Sequence, residues 1–264
     1  LFTFQVFPIW GRTEVVTVKE ATETDPAETR RDYVVGPIRN QDAGRSRADG
    51  WTRYNFQGYE HRTAWPEYRE LVQDMLEIAD EHGCGRALWE IDNRTSARDG
   101  YEGHGRYGTT MALMLLPFWT DGCIGSSEGL YFEASGTTPY HFLTAAAASR
   151  SASNPVRQLR YTNNNGELAV DLLRELGINY YLATTEEAIA QAELQPELTL
   201  VGESGRRDDN PESSAYDHKW RIYKVAGSDL VVPLTVQPVV VNGREGDQRE
   251  CWLEVGTSWF LEQG

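Results

Sequence analysis

The chain has 264 residues, 40% of them hydrophobic and 11% aromatic, which is enough apolar material for a real core. That composition excludes wholesale disorder, and three cysteines are too few for a disulfide-scaffold miniprotein. With 25 Lys and Arg against 40 Asp and Glu, the formal charge of −15 repels phosphate backbones and anionic lipid surfaces over long range, so no nucleic-acid partner is expected.

In chain order, Phe2, Phe4, Val6 and Phe7 alternate roughly as a strand would, and EVVTVK, from Glu14 to Lys19, is a second short strand. Between Glu20 and Trp51 the composition turns to Thr, Asp, Glu, Arg and Gly, which reads as a long loop or insertion. Residues 1–65 are therefore expected as irregular strands and loop. Tyr68, Leu71, Val72, Met75, Leu76 and Ala79 then form one apolar stripe at helical spacing, predicting a helix from about Pro66 to Glu81 that Gly83 stops. Arg86 to Ile91 follows as a strand. The same unit recurs where Leu168, Leu172, Leu173 and Leu176 make a stripe, Gly177 ends it, and Ile178 to Ala183 extends. Thr184 with Glu187 three residues later has the form of a capping box, opening a third helix that runs to Leu194 and stops at Pro196.

Helix, glycine turn and strand repeated in this way predict an α/β, or α+β, layered body over 66–196. From Leu198 the pattern changes to short stretches between turn residues: LTLVGE, WRIYKVA, LVVPLTV, PVVVN and ECWLEVG. These predict a C-terminal antiparallel β segment over 197–264, with a soft boundary near Pro196 and a loop from Gly205 to Lys219. The longest apolar run, Met111 to Trp119, contains a proline and is too short to cross a bilayer. Leu1 in place of an initiator Met, and an end at Glu262-Gln263-Gly264 on an unfinished aromatic pattern, read as an excised segment. Cys84 and Cys123 both sit in Gly-rich turns, HGCGR and DGCIG, where a bridge could form; spacing alone leaves that pairing open.

The most unusual stretch runs from Leu116 to Phe142. It interleaves aromatics with Asp121, Glu128, Glu133 and His141 amid Gly and Ser. Sugar sites have that make-up, because an aromatic face stacks on the apolar side of a pyranose while carboxylates accept from its hydroxyls. The bland alternative is a loop whose aromatics are core and whose acids cap turns. Glu90 and Asp92 close the strand ALWEID, where α/β layers tend to present ligand groups, although acids there more often cap a turn. Asp99, Glu102 and His104 lie among three glycines, but the twelve-residue EF-hand loop is absent. None of His61, His82, His104, His141 and His218 occurs as HExxH or at zinc spacing with a Cys pair. GxSxG, GxxxxGK[ST] and a GxGxxG between strand and helix are also missing, so no metal and no cofactor is expected. Asn93-Arg94-Thr95 fits a glycosylation sequon.

Three elements in this order resemble the extracytoplasmic portion of large actinobacterial polytopic membrane proteins related to the GT-C type of glycosyltransferase: LPFWTDGCIGSSEGLYFEAS, LLRELGINYYLA and WRIYKVAGSDLVVPL. The resemblance spans roughly Pro66 to Leu234. It implies a soluble part outside the cytoplasmic membrane, attached to a membrane body that transfers a sugar from a lipid-linked donor. The catalytic acid of such proteins lies in that body, so the resemblance carries no catalytic residue onto this chain.

The leading expectation is a non-catalytic extracytoplasmic domain that positions a cell-envelope glycan or lipid-linked sugar, with Trp119, Asp121, Glu128, Tyr131, Glu133 and His141 as the sugar-facing set. One alternative is an autonomous glycoside hydrolase using two of Glu90, Asp92, Glu128 and Glu133. Another is an interaction module that sees no sugar.

Overall fold

The computed structural model describes residues 12–19, 28–35, 37–40, 65–91, 112–127, 136–152, 154–204, 220–233, 235, 237 and 248–262. The chain forms two compact units, Leu1–Arg62 and Thr63–Gly264.

In the first unit, β1 (Arg12–Lys19), β2 (Glu28–Val35) and β3 (Ile38–Asn40) make an antiparallel meander. β2 and β3 fall inside the stretch that composition reads as a loop. Charged side chains pair along β2 and from β3 across to β2 and β1. Arg30 and Arg39 both donate to the buried Asp32 carboxylate, at 2.7 and 3.1 Å, and Arg39 also reaches Glu14 at 2.7 Å. The strand expected around Phe2 to Phe7 lies outside the described residues.

The second unit is an α/β layer. Its mixed sheet has the order β5-β4-β6-β8-β7, built from β4 (Gly85–Trp89), β5 (Ile124–Ser126), β6 (Tyr180–Ala183), β7 (Leu198–Ser204) and β8 (Trp220–Val225). β4 runs parallel to both β5 and β6, while β8 is antiparallel to β6 and to β7. The C-terminal antiparallel strands thus belong to the same sheet as the body, which continues across Pro196.

Helix α1 (Trp65–His82) buries Tyr68, Leu71, Val72, Met75 and Ala79 of its predicted stripe together with Ile78, which the stripe did not include, while Leu76 is exposed. It packs so closely on β7 that a Cβ at Gly202 would lie 2.6 Å from Ile78. On the opposite face Leu88, Tyr181 and Tyr223 are registered neighbours on adjacent strands. They share one core with α3 (Thr138–Ala147), α4 (Gly166–Glu175), α5 (Glu186–Glu193) and α6 (Gln248–Leu261). Gly83 and Gly177 end α1 and α4 with φ of 89° and 61°, the left-handed stop that the sequence implies. Asn165 caps α4 by accepting from Leu168 N–H at 3.1 Å, and Thr185 caps α5 by accepting from Ala188 N–H at 3.2 Å.

Two expected strands are not strands. Residues 250–256 lie inside α6, because Leu253, Gly256, Thr257 and Phe260 repeat at helical spacing and are the buried set. Phe260 stacks on Tyr140 of α3 at 4.5 Å. Leu230, Val231 and Val232 are exposed and outside the sheet; Pro233 beside them has no N–H for a ladder. Among the described residues, no helix is long and apolar enough to cross a membrane.

Candidate functional site

The carboxyl ends of parallel strands are the usual place for ligand groups, and here β4 and β6 bring Glu90, Thr184 and Thr185 together. Glu90 is 4% exposed. Its Oε2 accepts from the backbone N–H of Thr184 and of Thr185, both at 2.8 Å. Its Oε1 accepts from the Thr185 hydroxyl at 2.5 Å and from Arg150 N–H at 3.4 Å. A carboxylate offers about four acceptor positions, so these bonds consume its capacity. The two N–H groups it binds open α5, where an anion is favoured by the unpaired N–H groups and the helix dipole. Glu90 is therefore the protein's own anion in that seat, a structural cap that leaves no acceptor for a substrate. Ser149 Oγ accepts from Ile91 N–H at 3.1 Å beside it, and the Tyr181 hydroxyl donates to Ala148 O. Burial, then the nearby Glu90 and Tyr223, hold the Tyr181 phenol well above its ordinary value, so it remains a neutral donor.

The other end of the layer is organised differently. A 3-10 turn (Ala112–Leu115) leads into the one-turn helix α2 (Leu116–Trp119), and the chain then turns tightly into β5. Thr120 holds this turn: its Oγ1 donates to Leu116 O at 2.6 Å and accepts from Ile124 N–H at 3.0 Å. Gly122 N–H donates to Pro117 O at 2.7 Å, and Cys123 N–H to Thr120 O at 3.0 Å. The turn closes through Asp121 and Gly122, whose φ values of 50° and 81° are left-handed. Cys123 is bonded to Cys84, so a disulfide across 39 residues joins the amino-terminal ends of β4 and β5. Cys251, on α6, is free.

On this turn Trp119 is half-buried and closes an aromatic group. Its ring lies 5.5 Å from Trp65, 6.5 Å from Tyr68 and 5.0 Å from Phe118. Trp119 Nε1 is buried with no hydrogen-bond partner among the described residues. Phe118 is 73% exposed, and Asp121 two residues beyond Trp119 is also exposed. The result is an exposed aromatic ring and an exposed carboxylate on one turn, a pairing that sugar contacts use.

Of the six residues expected to face a sugar, Trp119 and Asp121 share this turn at the amino-terminal end of β5. His141 lies elsewhere: it is buried in the first turn of α3, which follows the carboxyl end of β5, with Phe142 at 5.2 Å. Glu128, Tyr131 and Glu133 fall outside the described residues, as do Asp92, Asp99, Glu102, His104 and the Asn93 sequon. Phe118, within the aromatic stretch, and Trp65, outside it, complete the group. Trp65 stands 54 positions before Trp119 (119 − 65), so only the fold reveals its contact. Among the described residues, no group of three or more His, Cys, Asp and Glu side chains is placed to hold a metal ion. No family model matches this chain, and no curated protein or solved structure matches it.

Proposed function

We propose that this chain is the extracytoplasmic, non-catalytic, sugar-positioning part of a membrane glycosyltransferase-like protein, and that the Phe118–Trp119–Asp121 turn is its contact with the glycan or lipid-linked sugar. The observation that carries this reading is the exposed Phe118 ring, edge-on to Trp119, with the exposed Asp121 three residues further along the same turn. The rings offer a stacking face and the carboxylate orients hydroxyls. Two further features agree with it. The Cys84–Cys123 disulfide suits an oxidising compartment outside the cytoplasm. The spent acceptor capacity of Glu90 removes one of the four acids on which hydrolysis by this segment would depend.

Such a flat, solvated site binds weakly, because it gains little beyond the cost of ordering and desolvation. Titrating the labelled protein with a panel of methyl pyranosides and furanosides should shift the Trp119 indole N–H and the Asp121 and Gly122 amides. Shifts confined to β7 and β8, or none across the panel, would refute the assignment.

A second reading has one observation of its own. Trp252, Val255 and Trp259 line the outward side of α6 at 41%, 39% and 58% exposure, an apolar stripe that suits packing against protein. On that reading the segment is an interaction module, and it predicts no shifts at the turn.

A further inference from the structure

We infer that the Cys84–Cys123 disulfide is a redox-controlled latch on the aromatic turn, so that its oxidation state sets whether the sugar contact is held in place. The inference rests on the reading of that turn as the sugar contact.

The hydrogen bonds that shape the turn are internal to 116–124: Thr120 N–H to Leu116 O, Gly122 N–H to Pro117 O, Cys123 N–H to Thr120 O and Ile124 N–H to Thr120 Oγ1. They make it a compact knot but do not attach it. Its other ties to the rest of the unit are non-covalent: Leu113, Leu116, Thr120 and Ile124 are buried, and Ser127 N–H donates to Ala87 O at 3.1 Å. β5 is an edge strand of only three residues, paired to β4 from Gly85 to Ala87. Gly85 N–H reaches Cys123 O at 3.0 Å, Trp119 leans on Trp65 and Tyr68, and Leu116 is buried. The disulfide is the covalent tie. Each cysteine directly follows a left-handed glycine, Gly83 at φ 89° and Gly122 at 81°, so the bridge joins two turns at their most adaptable positions. A short edge element held this way opens locally at lower cost than the central strands, and cutting the link lowers that cost further.

The bond is also placed to be cut. Cys84 is exposed whereas Cys123 is half-buried. A dithiol reductant attacks Cys84 Sγ through its thiolate; the S–S bond breaks and Cys123 leaves as a thiolate that takes a proton. The second reductant thiol then displaces Cys84 from the mixed disulfide. Two electrons and two protons pass to the protein, and the dithiol leaves as a cyclic disulfide.

The test compares amide exchange in the oxidised protein, in the protein reduced with dithiothreitol, and in Cys84→Ser/Cys123→Ser, with Cys251→Ser as the thiol control. Exchange at Thr120, Gly122, Cys123 and Ile124 should accelerate at least tenfold on reduction and in the double variant. Glu90 and Ile178, whose N–H groups are bonded to Leu182 O and Leu173 O, should keep their rates. Unchanged exchange at the turn, or uniform acceleration throughout, would overturn the latch. If the double variant fails to fold, the reduced wild-type protein gives the answer. The glycoside titration is repeated in both states: loss of turn shifts on reduction supports the latch, and retained shifts overturn its control of binding. Absence of shifts in the oxidised protein counts against the sugar reading instead, and the exchange data still decide whether the bond holds the turn.

Discussion

The carboxyl ends of β4 and β6 and the turn that enters β5 are both rich in polar and aromatic side chains, yet they use them in opposite ways. At the first, Glu90, Ser149 and Thr185 accept the N–H groups that strand ends and a helix start leave unpaired. At the second, Thr120 and the backbone satisfy the turn from within, which leaves Phe118 and Asp121 facing water. A buried carboxylate with its acceptors filled stabilises a fold, whereas an exposed ring and an exposed carboxylate contribute little to stability. Among the described residues, the protein's own Glu90 fills the position at the carboxyl ends of β4 and β6 that a parallel layer ordinarily offers a ligand, while exposed aromatic and acidic side chains stand at the opposite strand ends.

The comparison breaks most forcefully at the disulfide. Closing 39 residues contributes about 4 kcal/mol through loop entropy, so Cys84→Ser/Cys123→Ser should lower unfolding free energy by that order in urea titrations. A loss below about 1 kcal/mol would show that the turn holds its place without the bridge. Next comes Glu90→Gln, which replaces one accepting oxygen by an amide donor at the start of α5 and should cost about 2 kcal/mol. Glycan-induced shifts at the turn should survive it. If this segment cleaves a chromogenic glycoside and Glu90→Gln abolishes that turnover at unchanged stability, the structural assignment of Glu90 is wrong.

How much of this contrast the sequence could reveal depended on the range of the interactions. α1 and α4 announce themselves because their stripes are local and their glycine stops follow directly. α3 does not, since it is buried nearly all round, from Thr138 and Pro139 to Ala147, and so has no polar face to set a period. α6 was hidden by the alternation in ECWLEVG, although Leu253, Gly256, Thr257 and Phe260 already carried its helical spacing. β2 was hidden because Arg30 and Asp32 replace the apolar residues that mark a strand. That Trp119 and Asp121 share one turn was legible from their spacing. The saturation of Glu90 was not, because its partners stand about 60 and 95 residues away.

A smaller effect sharpens the contrast at Asp121. A left-handed φ of 50° costs an L-residue about 1–2 kcal/mol, and a glycine there would lose roughly 0.5–1 kcal/mol more chain entropy on folding. Asp121→Gly should therefore raise stability by about 0.5 kcal/mol in urea titrations and still weaken the glycoside response. A weakened response at raised stability would mark the Asp121 carboxylate as a contact rather than a support of the turn. A stability loss above about 1 kcal/mol would show instead that the side chain supports the turn.

The smallest expected change in stability is the most discriminating. Phe118 is 73% exposed and meets the aromatic group through an edge-on contact with Trp119, so Phe118→Ala should alter unfolding free energy by no more than about 0.5 kcal/mol. Trp119→Ala, which removes a half-buried ring packed on Trp65 and Tyr68, should cost about 2 kcal/mol, below the 3–5 expected of a fully buried aromatic. A stacking platform predicts that both variants lose the glycoside-induced shifts, although only one loses stability. If Phe118→Ala leaves the shifts intact while Trp119→Ala removes them together with the fold of the turn, then Phe118 adds nothing to recognition. The aromatic group would then be a core cluster with one ring left outside, and the two ends of the layer would serve the same structural purpose.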